Sequence, residues 1–232
     1  NGVRTALADP ILGKDTGFYM FSLPFYGALY SLILALAVIS LLTVLVSLFV
    51  RISGGQLQFI EPQHMQRPSS GQFRSLYSSA TLIILVLAFG KYLDRFSLMY
   101  SRWGVVAGAG WTDVHIRLPV YTILAFLLVG LGLLIVIPPL RRAFERLLNK
   151  MRIDTSRSQA IPLAAMAALI GVVYIIGLGI IPGLFQWLRV EPNEMTFEKP
   201  YIRHNIEFTR HGFKLHEVEE KEFPAKERLT RA

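Results

Sequence analysis

Four long stretches of the chain contain no aspartate, glutamate, lysine or arginine. They are residues 25–50, 75–90, 118–140 and 160–188. A helix needs about 20 consecutive apolar residues to cross the hydrocarbon core of a bilayer, and three of the four stretches exceed that length. The pattern therefore predicts an all-α fold, a polytopic transmembrane helical bundle whose spans are joined by polar loops.

The second stretch, residues 75–90, is shorter than the others. Extending it to residue 93 restores a full span if the Lys91 side chain reaches out to the interface, as long basic side chains do. The alternative is a tilted or re-entrant element. A true span is favoured because it keeps the loop charges consistent with one orientation. The sequence thus predicts four spans, at about 25–50, 75–93, 118–140 and 160–188.

Composition supports lipid as the solvent for much of the chain. Hydrophobic residues make up 53% of the 232 residues, charged residues only 17%, and the mean hydropathy is +0.44. Soluble domains carry about 25% charged residues, and disordered chains have low hydrophobicity, so both classes are excluded. The chain has no cysteine, which excludes disulfides and thiolate metal sites. It starts without Met or a signal peptide, and the simplest interpretation is a piece of a longer protein.

Basic residues are distributed unevenly between the two sides that four spans define. Loops 51–74 and 141–159 share one side and hold nine Lys and Arg, against six in the N-terminal segment and the 91–117 loop. Because cytoplasmic loops carry an excess of Lys and Arg, the first side is predicted to be cytoplasmic. The N-terminus, the 91–117 loop and the C-terminal tail are then extracytoplasmic, in the cell (inner) membrane. The net charge of +8 is mostly an orientation signal, and a nucleic-acid partner is not expected.

Residues 140–152 form an amphipathic pattern directly after the third span. Basic residues occupy one helical face, and the other carries Leu140, Phe144, Leu147, Leu148 and Met151. Such a helix is expected to lie on an anionic inner leaflet. The alternative is a cytoplasmic extension of the third span beyond Pro138-Pro139.

The fourth span contains small residues at spacings that allow close helix approach. They are Ala164, Ala168 and Gly171, followed by a GxxxG pair, Gly179 and Gly183. Ordinary packing within one bundle is a more economical explanation than a dedicated dimer motif. Pro182 lies inside the GxxxG pair and is predicted to kink the helix near its outer end.

Three segments on the predicted outer face are unlike ordinary connectors. In the first, Asp15 is a plausible N-cap for a short aromatic helix at the membrane surface. The 91–117 loop combines aromatic residues typical of an interfacial belt with three glycines that indicate tight folding. In the third, one helix face is predicted, with Gly212 at its C-cap; its members are Tyr201, Ile202, Asn205, Ile206 and Thr209.

These three segments carry a resemblance to a known family. The strings DPILGKDTGFYMFSLPFY (9–26), YLDRFSLMYSRWGVVAGAGWTDVHIRLP (92–119) and RVEPNEMTFEKPYIRHNIEFTR (189–210) resemble uncharacterised protein family 0182, a group of large prokaryotic membrane proteins. The similarity covers most of the chain and is weaker in the 51–74 loop and the apolar spans. The resemblance implies further spans before the first string and a long extracytoplasmic region after the last. It implies no reaction, because the family has no established biochemical activity.

The acidic residues of the outer face are the only candidates for site chemistry. The cluster consists of four aspartates and a neighbouring histidine, namely Asp9, Asp15, Asp94, Asp113 and His115. Carboxylates beside a histidine can exchange protons or bind a divalent cation. The competing interpretation is favoured, namely that they form ion pairs and helix caps, with Asp94-Arg95 as a structural pair, since no nucleophile motif accompanies them.

The histidines give no sign of a metal or cofactor site. His204, His211 and His216 do not share a helix face, and no histidine lies within a predicted span, where a haem ligand would be needed. No metal, cofactor or catalytic residue is therefore predicted.

Three functional hypotheses follow. The first, and favoured one, is a membrane anchor, scaffold or subunit of a larger complex, with an interfacial segment (1–24), a transmembrane domain (25–188) and a tail or the start of a soluble domain (189–232). The second is a transporter or channel component whose polar pathway is supplied by other helices. The third is a membrane enzyme with an outer-face acidic site. The expected partners are the lipid bilayer and other membrane-protein chains, or missing parts of the same protein.

Overall fold

The computed structural model describes residues 7–53, 56–59, 70–104, 107–151 and 161–218. Several sequence-based assignments lie outside these residues. They concern Arg4, Glu61, His64, Arg67, Arg152, Asp154, Arg157 and the acidic residues from Glu219 onward.

Four helices of the described residues are long and apolar enough to cross a membrane. They span Phe18–Ser47, Ser75–Tyr100, Asp113–Val136 and Ala165–Phe197. The predicted helical membrane bundle with four spans is therefore confirmed. Each of these four helices begins or ends well outside its apolar run, because aromatic and charged residues continue the helices past the point where hydropathy falls.

The regular elements follow the order of the spans. They are α1 (Leu23–Phe49), β1 (Val50–Ser53), β2 (Gln56–Phe59), α2 (Ser70–Ser97), α3 (Leu118–Val136), α4 (Pro138–Lys150), α5 (Ile161–Tyr174), α6 (Ile181–Phe185), α7 (Glu194–Phe197) and α8 (Lys199–Gly212). Wide π-helical turns join several of them, at Phe18–Ser22, Asp113–Arg117, Ile175–Ile180 and Gln186–Val190.

The second span lies at the centre of the bundle. Helix α2 packs against both α1 and α3, and α3 packs in turn against α5. Most large side chains of α1 are exposed, for example Phe25 and Leu32, as expected of a helix that faces lipid. Residues 7–22, 98–104, 107–117 and 186–212 come together at one end of the bundle, which we call the capped end. The β-hairpin and α4 lie at the other, the hairpin end.

The hairpin end contains an antiparallel pair of strands that the pattern of apolar runs does not predict. Val50 pairs with Phe59 and Ser53 with Gln56. The sequence signal was Gly54-Gly55 between two short segments, since two glycines are typical of a two-residue hairpin loop. The hairpin adds to the helical bundle without altering its class.

Helix α4 is separate from the third span. The backbone is extended at Ile137 (φ −105°, ψ 97°), and Pro138 and Pro139 then occupy the first turn of α4. Proline suits a first helical turn but cannot continue the preceding helix. The break at Ile137 frees α4 from the axis of α3, as the interfacial interpretation requires.

The fourth span packs through a glycine other than those predicted. A Cβ placed on Gly171, Gly179 or Gly183 would meet nothing within 4 Å among the described residues. Gly177 instead packs directly on Val120 of α3. It lies in the wide turn Ile175–Ile180, just before buried Pro182. The irregularity predicted at Pro182 thus takes the form of a π-helical turn, a common response to a lost backbone donor.

Candidate functional site

The predicted acidic residues lie at or near the capped end, and Asp9 closes its own turn there. Its carboxylate accepts hydrogen bonds from the backbone N–H groups of Ile11 (3.0 Å) and Leu12 (2.6 Å) and from the Tyr19 hydroxyl (3.0 Å). Gly13 takes the left-handed conformation (φ +66°) that completes the turn. Asp9 is buried, and its oxygens are engaged in holding the loop to the first span.

Asp15 has the capping role that its position predicts. Its Oδ1 accepts a hydrogen bond from the Gly17 backbone N–H at 2.7 Å, and its carbonyl accepts one from Phe18. These contacts satisfy backbone donors at the start of the first membrane helix, where no preceding helical turn supplies acceptors.

Asp94 forms an ion pair, but the predicted partner, Arg95, is wrong. Its Oδ2 lies 2.6 Å from Lys91 Nζ, one helical turn earlier, whereas the Arg95 guanidinium lies over the Tyr92 ring. Adjacent residues on a helix point in different directions, while residues three apart are neighbours on its surface. Lys91 does not simply extend toward the interface, because its ammonium group also lies over the rings of Tyr121 and Tyr174.

Asp113 is buried at the start of the third span. Its side chain is 1% exposed and its Oδ1 lies 2.8 Å from Arg117 Nη1, one turn further along the same helix. Its Oδ2 faces the backbone N–H of Gly110 at 3.4 Å. A carboxylate near the N-terminus of a helix interacts favourably with the backbone donors there, which together with Arg117 compensates its burial.

A second buried carboxylate, Glu198, meets the same helix start. Glu198 is 1% exposed, and its Oε1 accepts a hydrogen bond from the Trp111 backbone N–H at 3.1 Å. Its Oε2 is buried and has no hydrogen-bond partner among the described residues. A Cβ on Gly110 would lie 3.0 Å from both carboxylate oxygens, so any larger residue would require the carboxylate to shift by a few tenths of an ångström.

No sequence pattern indicates that Glu198 is buried. It precedes Lys199-Pro200 in a tail rich in both charges, which is the usual pattern of a solvated segment. Its burial depends on a contact with Trp111, 87 residues earlier in the chain. Neither helical periodicity nor a short motif reports a pairing at that distance.

His115 is exposed beside this pair of carboxylates. Its ring stacks on Trp111, with ring centroids 4.5 Å apart. Its Nδ1 lies 3.0 Å from the Trp111 carbonyl oxygen and 3.4 Å from the Tyr201 hydroxyl. Each predicted site residue is thus engaged in a local structural contact, with Asp9 and Asp15 in the N-terminal segment, Asp94 on α2, and Asp113 and His115 near Glu198. Nowhere in the described ranges are three or more His, Asp or Glu side chains grouped to hold a metal ion.

A cavity of about 210 Å³ lies at the capped end between the N-terminal loop, Met99 with residues 107–109, and α8. Most of its lining is apolar, and its polar groups include Asp9, Tyr19, Tyr201 and His204. Two of these, Asp9 and Tyr19, bond to one another. The cavity therefore resembles a packing gap under α8 more than a site with convergent free polar groups.

Glu198 has a shifted pKa at the capped end. Burial raises the pKa of its carboxyl group, the Trp111 N–H opposes that shift, and the charges of Asp113 and Glu194 add to it. Burial also raises the pKa of the Tyr201 hydroxyl, with a further contribution from Glu198. A buried carboxylate with one unsatisfied oxygen opposes folding when it is ionised.

We expect Glu198→Gln to stabilise the protein at neutral pH and to have little effect in acid. Because the folded-state pKa is raised, the folded protein holds the proton more tightly, and stability falls as pH rises from the ordinary value near 4.3. Glutamine keeps the Oε1 acceptor without the charge. The expected gain at pH 7 is about 1–3 kcal/mol, typical for an unsatisfied buried group, measured as the melting temperature of the purified protein from pH 4 to 8.

The matched control is Glu191→Gln, an exposed glutamate of the same connecting segment whose charge does not contribute to the raised pKa of Glu198. It is expected to leave the melting temperature and its pH dependence nearly unchanged. A pH-independent effect of Glu198→Gln, or destabilisation at pH 7, would contradict the assignment of Glu198 as a buried carboxyl group with a raised pKa.

The fold and the capped end define the class of this protein. It is a helical, multi-pass membrane protein with four apolar helices and a tightly packed set of connecting segments at one end. The family model described as "Uncharacterised protein family (UPF0182)" matches residues 1–232, and the chain belongs to that family.

Similar proteins are found in several organisms. A UPF0182 protein of Moorella thermoacetica is 36% identical over 97% of the chain, one of Synechococcus sp. is 36% identical over 96%, and one of Trichlorobacter lovleyi is 34% identical over 100%. The chain spans about a quarter of the length of these curated relatives, namely 23%, 26% and 24%. No solved structure matches the chain.

Proposed function

We propose that this part of the protein is a membrane anchor whose capped end holds α8 and the polypeptide beyond it in a fixed position. The observation that carries the proposal is the set of contacts between α8, with the residue before it, and the 107–115 segment. Glu198 accepts from the Trp111 N–H, Asn205 Nδ2 donates to the Ala107 carbonyl oxygen at 2.7 Å, and Tyr201 meets His115.

A second set of contacts supports the same role. The Tyr100 hydroxyl donates to the Tyr19 carbonyl oxygen at 2.7 Å, and the Thr112 hydroxyl donates to Gln186 Oε1 at 2.7 Å. These bonds link the first span to the second and the third to the fourth. An anchor needs such cross-links between connecting segments. The anchor role also explains why the acidic groups at this end are engaged in structural contacts.

The anchor is tested by removing one contact of α8 in a full-length family protein. Asn205→Ala deletes the bond to Ala107 and should raise the rate of cleavage after Lys214 by a lysine-specific protease several-fold. Glu207→Ala, on the same helix but in an exposed pair with Arg203, serves as the control. Equal cleavage rates in the two variants and the parent would count against anchoring through this contact.

The capped end is proposed to face away from the cytoplasm, in the cell membrane. The support is the excess of Lys and Arg in the loops of the hairpin end. Since the chain has no cysteine, Arg102→Cys and Lys150→Cys place single thiols at opposite ends. In a cysteine-free full-length background, a membrane-impermeant maleimide should label position 102 in intact cells and position 150 only after permeabilisation. The reverse pattern would invert the proposed orientation.

One observation favours the transporter alternative. The second membrane helix, Ser75–Tyr100, includes three ionisable residues, Lys91, Asp94 and Arg95. Such groups within spans often mark ion or substrate pathways. Ion flux in liposomes containing the full-length protein, abolished by Asp94→Asn with assembly retained, would favour transport over anchoring.

A further inference from the structure

A cavity of about 410 Å³ lies between α1 and α2 at the capped end, apart from the contacts of α8. Pro24, Gly27 and Tyr30 line it from α1, and Lys91, Asp94 and Ser97 from α2. It is the larger of the two cavities described here, and it combines an open apolar wall with an ion pair.

Small residues keep this space open. A Cβ on Gly27 would meet nothing within 4 Å among the described residues, so the α1 wall has room for an occupant. The Tyr30 ring of α1 lies against Gly90 of α2. A Cβ added to Gly90 would lie 2.7 Å from the ring. The ring closes the inner side of the cavity and leaves the space toward the capped end unfilled.

The ion pair has bonding capacity left for an occupant. Lys91 and Asp94 are 27% and 39% exposed, with their charged atoms 2.6 Å apart. An ammonium group has three donors and a carboxylate has several acceptor positions, and their mutual hydrogen bond uses one of each. The rings of Tyr121 and Tyr174 hold Lys91 from the side of α3 and α5.

The charges of the pair make hydrocarbon an unfavourable environment for it. Lys91 follows Ser75 by about 24 Å of helix, close to one edge of a hydrocarbon core about 30 Å thick. Beside the cavity, α1 exposes Phe25 and Leu29, which suit acyl chains. An exposed cation and anion at this level require a polar occupant.

We infer that this cavity binds the headgroup of a phospholipid that carries a primary ammonium next to its phosphate, the phosphoethanolamine group. The phosphate accepts from Lys91, the ammonium donates to Asp94, and the acyl chains lie along the apolar face of α1. A headgroup with both charges matches both members of the pair, whereas an anionic headgroup alone would meet the Asp94 carboxylate with repulsion. The inference is independent of the anchor role.

The test uses a full-length family protein reconstituted in nanodiscs of equal parts phosphatidylethanolamine, phosphatidylcholine and phosphatidylglycerol. Lipids retained after detergent extraction are counted by native mass spectrometry. We expect at least a threefold preference for phosphatidylethanolamine over each of the others. Gly27→Leu, which fills the cavity, and Asp94→Asn, which removes the acceptor charge with little change of shape, should each abolish that preference.

The matched control is Gly130→Leu on α3, where a Cβ also meets nothing among the described residues and lipid selection should persist. Gel filtration and melting temperature identify variants that fail to fold. If Gly27→Leu fails to fold, the inference is judged from the Asp94→Asn variant. No preference in the parent protein, a preference for phosphatidylglycerol, or retained preference in a folded Asp94→Asn variant would each overturn the inference.

Discussion

Asp113→Ala is expected to be strongly destabilising, by about 3 kcal/mol. The substitution removes a buried carboxylate that pairs with Arg117 Nη1 at 2.8 Å. It leaves a guanidinium whose Nε already has no partner among the described residues and whose face lies on Trp103. Breaking a buried pair costs about 3–5 kcal/mol because the remaining charge is uncompensated. We expect the lower end of this range because the substitution also removes the repulsion between the like charges of Asp113 and Glu198.

The measurement is the thermal unfolding midpoint of the purified full-length protein, followed by tryptophan fluorescence at pH 7. Glu207→Ala is the matched control, because it breaks an exposed pair of the same i,i+4 spacing, with Arg203 and Glu207 79% and 56% exposed. Such a surface pair contributes about 0.3–0.5 kcal/mol. In the double variant Asp113→Ala/Arg117→Ala, part of the loss should be recovered. Equal shifts for Asp113→Ala and Glu207→Ala would show that burial adds nothing to the Asp113–Arg117 pair.

The membrane spans could be predicted from sequence because a single property, the length of an uncharged run, decides them. Their ends could not be predicted in the same way. The first membrane helix begins at Phe18 and the third at Asp113. Aromatic residues extend the first helix beyond its apolar run, and Asp113, paired with Arg117, extends the third. Helix α4 was recognisable because Pro138-Pro139 and its amphipathic pattern are both local features.

The capped end was predictable only where a contact is local. The capping role of Asp15 depends on residues two and three positions ahead and was correctly predicted. The predicted pairing of Asp94 with Arg95 is wrong because adjacent residues on a helix point in different directions, whereas Lys91 lies one turn earlier on the same face. The Glu198–Trp111 contact joins segments 87 residues apart. The small size of Gly110 allows the close approach of Glu198, and this role is apparent only once the two segments are placed together.

Gly177→Ala is expected to weaken the packing of the fourth span against the third. The added Cβ would lie 2.7 Å from Val120 Cγ1 and 3.1 Å from Val120 Cγ2. Valine is restricted at χ1, so the clash is relieved only by moving a helix or by an unfavourable rotamer. Overpacking of this kind costs about 1–3 kcal/mol. The expected result is a lower unfolding midpoint in detergent, with no change in the retained helical signal before unfolding.

Gly179→Ala provides the matched control, because it adds the same methyl group two residues further on, where a Cβ meets nothing among the described residues. Its expected effect is within about 0.5 kcal/mol of zero. The double variant Gly177→Ala/Val120→Ala restores the space that the new methyl group needs, and it should be more stable than the sum of the two single changes predicts. Additive single effects, or an equal loss from Gly179→Ala, would mean that the GxxxG pair rather than Gly177 sets the approach of the two helices.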